Sequence, residues 1–534
     1  MILITSAAYV EGELVSEVGL IPPSFLPIGN KRLYELQVAL VKSQFPGEDI
    51  FLSIPASFEI SNYDRDILEK EQVTLLQVPE GLSLGNSILF CWNASAAFFQ
   101  QLRVLHGDTL FLNCTLGKND SVSLHANKGV YRRATANASD NKTLSIVEDN
   151  WSGDSDIVLS GYFSFEEPLR LMKYLVESGG NFTKSISAYS ESCKLSKVTD
   201  GIWLDFGHVN SFYSSRTKIT TQRAFNELNI SERFVEKHSK TNNRKILAEG
   251  KWFESLPMAL RLHTPHLLEL IEDINEARYK LEYLYLLPLS DLYVFSKLPV
   301  KQWKSVFEAI NTALEDFSNH SSSNSDIDLE QFDSLYSPKT MERLEQFYKQ
   351  RGNEFKSKTF FISELEKSFT LEQLATDTAE YISKTQKSDI TISHGDFCFS
   401  NILYDSRVGC IKCIDPRGML PNGEMSVYGD KRYDLAKLYH SVIGLYDFII
   451  AGQFTIESSS EIDFPVLDEI DPNLSDYFRA SILDKTAYKE SEILAITIQL
   501  FISMLPLHSD RPERQDAFIA NAIRLYKLLM ELVK

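Results

Sequence analysis

Apolar positions recur along the first ~220 residues in two alternating rhythms. Ile2–Ala8 (ILITSAA), Asp49–Pro55 (DIFLSIP), Val73–Pro79 (VTLLQVP) and Asp108–Asn113 (DTLFLN) are short β-rich runs bounded by turn-forming residues. Arg32–Phe45 (RLYELQVALVKSQF) and Ala96–His106 (AAFFQQLRVLH) carry the helical period. Such alternation predicts an α/β domain with a mainly parallel sheet. After Thr220 the texture changes. A β-rich piece over Arg223–Ser239 leads into a helix over Asn242–Leu256, which Pro257 ends. Two strand-like runs follow, His266–Ile274 and Tyr279–Leu287, and the remainder is chiefly helical. Ser318–Pro338 is polar and serine-rich and reads as a loop. The longest apolar stretch, Ile493–Leu507, is interrupted by Thr497, Gln499 and Ser503. It is shorter than the ~20 residues a bilayer span needs, so it predicts a buried helix.

Composition narrows the class. At 534 residues the chain is long enough for two or three domains. Its 43% hydrophobic content supplies cores that a disordered chain lacks. Lys+Arg number 54 against 73 Asp+Glu, a net −19 that disfavours nucleic acid or an anionic membrane as partner. Tyr439–Phe478 holds eight acidic residues and no Lys or Arg. It reads as a solvated surface insertion or, more sharply, as a surface for a cationic substrate such as an amino alcohol. Of six cysteines only Cys410 and Cys413 are close, and no second pair or nearby histidine completes a zinc set. The start has no basic segment before its apolar residues. A reducing, cytoplasmic setting without membrane insertion is the expectation.

The chemistry concentrates in SHGDFCFSNILYD (Ser393–Asp405) and IKCIDPRG (Ile411–Gly418). Phosphoryl transfer needs a carboxylate to orient or deprotonate the acceptor hydroxyl, and oxygen ligands for Mg²⁺. Asp396 and Asn401 stand five apart in one turn-rich segment after a β-run, and Asp415 follows the strand-like CIKCI. Gly395 permits a tight backbone, and His394 can hold the loop by hydrogen bonding. These motifs resemble those of the aminoglycoside phosphotransferase/choline kinase family, small-molecule kinases with a protein-kinase-like, two-lobed α+β fold. The resemblance implies Asp396 as catalytic residue, Asn401 and Asp415 as Mg²⁺ ligands, and Asp434 of GDKRYDLAKLYHS as the brace of the catalytic loop. A kinase also needs a lysine on the nucleotide phosphates and a glutamate to hold it. Strand alternation in RFVEKHS puts Lys237 opposite Phe234 and Glu236, and Glu249 lies twelve residues on, so Lys237–Glu249 is the expected pair, with Lys245 as substitute. No glycine-rich loop precedes Lys237; Phe225–Phe234 reads FNELNISERF. By resemblance, Glu282–Leu287 is the interlobe hinge whose backbone holds the adenine of ATP.

The N-terminal part resembles another family. IPPSFLPIGNKRLYELQ (Ile21–Gln37), VLHGDTLF (Val104–Phe111), SGYFSF (Ser160–Phe165) and GIWLDFGHVNSFYSSR (Gly201–Arg216) resemble, in order, segments of sugar-nucleotidyltransferase-like enzymes with a Rossmann-like fold. The resemblance implies Asp108 and Asp205 as Mg²⁺ ligands, with CTP or another nucleoside triphosphate as the nucleotide. Two of that family's features are absent: its glycine-rich loop, where TSAAYVEGELVSE stands, and the lysine after Pro22, where Pro23 stands. Either the domain has diverged to another phospho-substrate, or it binds a nucleotide or sugar without turnover. The expected organisation is a nucleotidyltransferase-like domain over 1–220 and a kinase domain over 221–534, with an N-lobe to about 293 and a helical C-lobe beyond. The expected joint function is phosphorylation of a small-molecule alcohol, then nucleotidyl transfer to the product, as in supply of precursors for capsule, other surface polysaccharide or phospholipid headgroups. The rival is a kinase whose first domain is a binding or scaffolding module.

Overall fold

The computed structural model describes the 534 residues except 128–130, 138–144, 153–155, 220–226, 240–241, 274–276, 323–327, 466 and 468–469. The chain divides into two compact units, Met1–Ile219 with Phe295–Lys297, and Thr220–Val294 with Leu298–Lys534.

Unit 1 is built on strands β1 (Ile2–Thr5), β2 (Ile50–Pro55), β3 (Val73–Val78), β4 (Leu102–His106), β5 (Thr109–Leu112), β6 (Ser121–Ala126), β7 (Tyr131–Asn137), β8 (Ser145–Ser152), β9 (Ile157–Phe165), β10 (Ser196–Val198) and β11 (Ile202–Asp205). The main sheet runs β10-β6-β9-β4-β1-β2-β3, with β7 and β8 carried on β9. β3, β2, β1 and β4 are mutually parallel. The helices Leu33–Gln44, Asn62–Lys70 and Leu84–Ala94 alternate with them along the chain. All six residues of β2 are buried, the mark of a parallel strand covered on both faces. β9 runs antiparallel to both β4 and β6, so the sheet is mixed rather than mainly parallel. A second correction concerns Ala96–His106. It holds no helix; its second half is β4, with Leu102, Val104 and Leu105 fully buried between β1 and β9. A strand buried on both faces loses its two-residue alternation, and a short apolar run then imitates a helical period.

Unit 2 begins with a four-stranded antiparallel sheet in the order β12-β13-β15-β14, where β12 is Glu227–Ile230, β13 Phe234–His238, β14 Leu267–Ile271 and β15 Arg278–Glu282. Of the FNELNISERF segment, Phe225 and Asn226 lie outside the described residues, as do 323–327 of the serine-rich stretch. The helix Asn243–Ser255 packs on this sheet through Gly250, where a Cβ would lie 2.4 Å from Leu270 Cδ1. From Leu289 helices dominate, interrupted by ladders that pair Ile402–Asp405 with Cys410–Cys413 and Ile390–Ile392 with Tyr428–Asp430.

Glu490–Met504 is buried along nearly its whole length. Two of its polar side chains bond inside the fold: Gln499 Nε2 donates to Ala375 O at 2.6 Å and Thr497 Oγ1 to Ile493 O at 2.8 Å. Glu490–His508 is long and apolar enough to cross a membrane by length and composition, but its apolar window is 83% buried in the fold. The acidic stretch is not a solvated insertion throughout. Asp447, Phe448, Phe464 and Phe478 are buried, whereas the hairpin of Thr455–Ser458 with Glu461–Asp463 is largely exposed. Nor is Ser318–Pro338 all loop: Glu330–Asp333 is helical, and Tyr336 is buried with its hydroxyl donating to Asp430 at 2.6 Å. Cys410 and Cys413 lie three apart on one strand, so their side chains point to opposite faces, and both are free thiols.

Candidate active site

In unit 2 the loop after Ile390–Ile392 hangs from one carboxylate. Asp434, in the first turn of the helix Lys431–Val442, accepts from Ser393 Oγ (2.8 Å), His394 N (2.8 Å) and Gly395 N (2.7 Å). His394 is fully buried, and burial lowers its pKa, so the ring is neutral. Its Nε2 donates to Ile414 O at 2.9 Å, which leaves Nδ1 to accept the Asp396 amide at 3.3 Å. Gly395 has φ +75°, and a Cβ there would lie 2.7 Å from Arg417 Cβ, so glycine is required on both counts.

Asp396 emerges from this braced loop with its side chain 40% exposed. Lys437 Nζ stands 2.8 Å from its Oδ1. Asn401 Nδ2 donates to its Oδ2 (3.1 Å) and backbone oxygen (2.9 Å). Burial pushes the Asp396 carboxyl up, but Lys437 and then Arg417 outweigh it and hold the group well below the usual carboxylate range.

Lys237, on β13, is buried, with Nζ 2.7 Å from Glu249 Oε2 and 3.1 Å from Asp415 Oδ1. Burial alone would lower its pKa; Asp415 and Glu249 instead hold it above the ordinary value. Tyr279 also donates to Glu249 Oε2 at 2.8 Å. Lys245 is 3.7 Å from Glu249 Oε1 and 49% exposed, the weaker partner. Asp415 adopts φ +56°, a conformation costly for a non-glycine residue and common where geometry is dictated by function. Hairpin register brings it to Asn401: Ile402 pairs with Cys413, and Ile414 N donates to Asn401 O at 2.9 Å. Two contacts tie the β-sheet lobe to this loop. Trp252 Nε1 donates to Ser393 O at 2.9 Å, and a Cβ on Gly418 would lie 2.1 Å from Ala248 O. Glu282 ends β15, its Oε1 accepting from His266 N at 2.9 Å, while Leu287 is buried and pairs with Tyr404. The strand expected over Tyr279–Leu287 is thus broken after Glu282.

In unit 1 the backbone register brings Asp108 and Asp205 together. β11 pairs antiparallel with β5 so that Asp205 faces Thr109, and Phe206 N donates to Asp108 O at 2.8 Å. A Cβ on Gly207 would lie 2.5 Å from Asp108 Oδ2 and 3.3 Å from Asp205 Oδ1, so both carboxylates crowd one point. Asp108 follows β4 at the C-terminal edge of the parallel strands, where open α/β sheets place ligands. Burial, then Asp205, raises the Asp108 pKa. Asp205 stays below the carboxylate range because His208, an ion pair with Arg133 and neighbouring hydroxyl and amide donors outweigh burial. Arg133 therefore stands where a cation would meet Asp205. The loop replacing the glycine-rich one is stapled: Ser6 N donates to Ser53 Oγ and Ser24 N to Ser6 Oγ, each at 3.0 Å. Arg32 of the GNKR run is buried against Asp64 at 3.2 Å, a structural pair.

The sequence reading missed Lys437, Arg417, Lys339 and Tyr433. Lys437 had a signal: it stands three residues after Asp434 on one helix, hence on the same face. Among the described residues no three His, Cys, Asp or Glu cluster as a metal site.

No family model and no curated protein matches the chain. Solved structures similar to it include a nucleoside-diphosphate-sugar pyrophosphorylase from Vibrio cholerae RC9, 11% identical, over 40% of this chain and 99% of that one, with TM-score 0.34. A type VIII aminoglycoside-3′-phosphotransferase is 15% identical, over 55% of this chain and 99% of that one, with TM-score 0.32. An aminoglycoside phosphotransferase from Streptomyces rimosus is 13% identical, over 53% and 92%, with TM-score 0.31.

Proposed function

We propose that unit 2 is a phosphotransferase that uses ATP and Mg²⁺ to phosphorylate a hydroxyl of a small molecule. The observation that carries this reading is one connected set: Lys237 bonded to both Glu249 and Asp415, and Asp396 held ionised beside Asn401. Lys237 would meet nucleotide phosphates as a buried, charged ammonium. Asn401 donates its amide N–H groups to Asp396, and its carbonyl oxygen meets the Ser400 hydroxyl at 3.4 Å. That oxygen and Asp415 are the residues that would hold Mg²⁺, whose role is to neutralise the phosphates. The residues fit a hard cation by donor type.

The acceptor hydroxyl would donate its hydrogen bond to Asp396. As the new oxygen–γ-phosphorus bond forms and the β–γ bridging bond breaks, the hydroxyl proton passes to Asp396 and ADP leaves. A carboxylate held below its usual pKa is a weak base, so Asp396 orients the hydroxyl first and takes the proton late. This suits a loose transition state, in which the nucleophile gains little charge early.

For unit 1 we propose nucleotidyl transfer from CTP or another nucleoside triphosphate to the phosphorylated product, with Asp108 and Asp205 as the residues that would hold Mg²⁺. A second reading, binding without turnover, is favoured by the Arg133–Asp205 pair and the stapled loop after β1. In either reading the product would feed surface polysaccharide or headgroup precursors inside the cytoplasm.

Phosphorus NMR of the full-length protein with Mg·ATP and a panel of alcohols, amino alcohols and sugars tests the kinase reading. A phosphomonoester should appear with at least one acceptor, and Asp396→Asn should cut kcat about 10²–10⁴-fold, the range for a lost general base. An Asp396→Asn variant that keeps a tenth of wild-type kcat sinks the assignment.

A further inference from the structure

Beside Asp396 the structure gathers three cations from three elements around one phenol. Lys339, on the helix Ser337–Arg351, has Nζ 3.3 Å from the Tyr433 hydroxyl. Arg417, four residues past the strand Cys410–Cys413, lies with its guanidinium carbon 4.4 Å from the centre of the Tyr433 ring. Lys437 is one helical turn from Tyr433 and reaches Asp396 at 2.8 Å. Tyr433 itself is buried. A small cavity bounded by Phe332, Leu335, Gly395, Arg417, Asp430 and Tyr433 reaches two members of this group, Arg417 and Tyr433.

The charges do not balance locally. Asp396 is the carboxylate paired with Lys437, and Asp434 is already committed to the three donors of the loop backbone and Ser393. His394 is neutral. Among the described residues no carboxylate forms an ion pair with Lys339 or Arg417; Asp396 and Asp434 act on Arg417 only from beyond ion-pair distance, and the direct contact of both cations is with Tyr433. Like charges crowded in a half-buried site repel and are costly without a counter-charge. The phenol partly supplies one. Burial would push its pKa up, yet Arg417, Lys339 and Lys437 pull it down to about 7.

We infer that the acceptor is an anion, an alcohol bearing a phosphate or carboxylate group seated on Lys339 and Arg417 beside Tyr433, with its hydroxyl turned to Asp396. This rests on the phosphotransferase reading above and replaces the cationic amino alcohol suggested by the acidic stretch. A guanidinium fork and an ammonium from different elements suit a tetrahedral or planar oxyanion. On the same reading the nucleotide phosphates would have separate partners, Lys237 directly and Asp415 through Mg²⁺.

The test pairs acceptors that differ by one anionic group, glycerol with glycerol 3-phosphate and with glycerate, and glucose with glucose 6-phosphate, on the full-length protein. The anionic members should have the higher kcat/KM, by about tenfold or more, and Lys339→Met should raise their KM about tenfold while leaving Mg·ATP affinity by calorimetry unchanged. A second arm needs no turnover. Inorganic phosphate should raise the unfolding temperature of the wild type and have a smaller effect on Lys339→Met. Phosphate acting on both proteins alike, or on neither, overturns the inference. So does a Lys339→Met variant whose loss falls on Mg·ATP, because the cluster would then serve the nucleotide. If no acceptor is phosphorylated at all but phosphate still distinguishes the two proteins, the kinase reading fails and the anion site stands.

Discussion

Each unit carries a pair of residues expected to hold a metal, Asn401 with Asp415 in unit 2 and Asp108 with Asp205 in unit 1, and each has a basic side chain against one aspartate of the pair, yet the two cations sit in different company. In unit 2, Lys237 bridges Glu249 and Asp415, so its charge is shared between two carboxylates and can pass to nucleotide phosphates without leaving Glu249. In unit 1, Arg133 pairs with Asp205 directly, while Asp108 is left protonation-prone by burial and by Asp205 itself. On the proposed reading, Lys237 keeps Glu249 as a partner when Asp415 turns to a metal, whereas Arg133 has Asp205 as its carboxylate partner and would compete with a metal for it. The carboxylates follow suit. Asp396 is drawn acidic by Lys437 and Arg417, whereas Asp108 is pushed the other way by desolvation and a like charge.

The sharpest way to break this contrast is at Asp415. Replacing it with alanine should weaken Mg·ATP binding by at least the roughly 10–100-fold that loss of a mere outer-shell partner of a metal ligand costs. Asn401→Ala should have a smaller effect, because a neutral amide supplies less charge. Calorimetry on the full chain reads both, and equal Mg·ATP affinity in wild type and Asp415→Ala would remove the metal role.

At Arg133 the same logic predicts a gain. Arg133→Gln leaves a side chain of similar reach but no charge, so Asp205 becomes available to a divalent ion. Binding of Mn²⁺ followed by paramagnetic relaxation should tighten several-fold over wild type, with the Asp108→Asn, Arg133→Gln double variant losing the gain. If Arg133→Gln binds no more Mn²⁺ than wild type, Arg133 is not a competitor and unit 1 is better read as a binding module.

What the sequence made legible follows from how local each signal is. The Asp396–Asn401–Asp415 set lies within twenty residues, and strand alternation alone turned Lys237 toward Glu249. Asp108 and Asp205 are distant in sequence but joined by one antiparallel ladder; in the sequence they were paired only by the resemblance to nucleotidyltransferase segments. The failures have equally physical causes. β4 was hidden because burial on both faces erases alternation. The acidic stretch was misjudged because its charges share segments with buried aromatics such as Phe448 and Phe478. Lys339 and Arg417 gave no signal, since a site assembled from three separate elements has no spacing to read.

The smallest expected effect sets one substitution against itself at two positions. The folded Asp108 carboxyl has a raised pKa, so its ionisation opposes folding: its contribution is fully present below the unfolded pKa and is lost as pH rises through the folded one. Asp108→Asn removes that penalty. It should raise the unfolding temperature of unit 1 at neutral pH by a few degrees, at about 2–4 °C per kcal/mol for a domain of this size. The difference from wild type should vanish as the pH falls below the carboxylate range. Asp396 has the opposite sign. Its folded pKa is lowered, so its contribution is present above the unfolded pKa and lost as pH falls through the folded one. Asp396→Asn should therefore lower stability at neutral pH, modestly, because the side chain is 40% exposed and solvent screens its pair with Lys437. Hydrogen exchange at the β5–β11 ladder and in the helix Lys431–Val442 separates the two units in one measurement. Shifts of the same sign at both sites would mean that Asp108 is held by partners of its own, and that the contrast between a carboxylate held charged and one pushed toward protonation does not describe this pair.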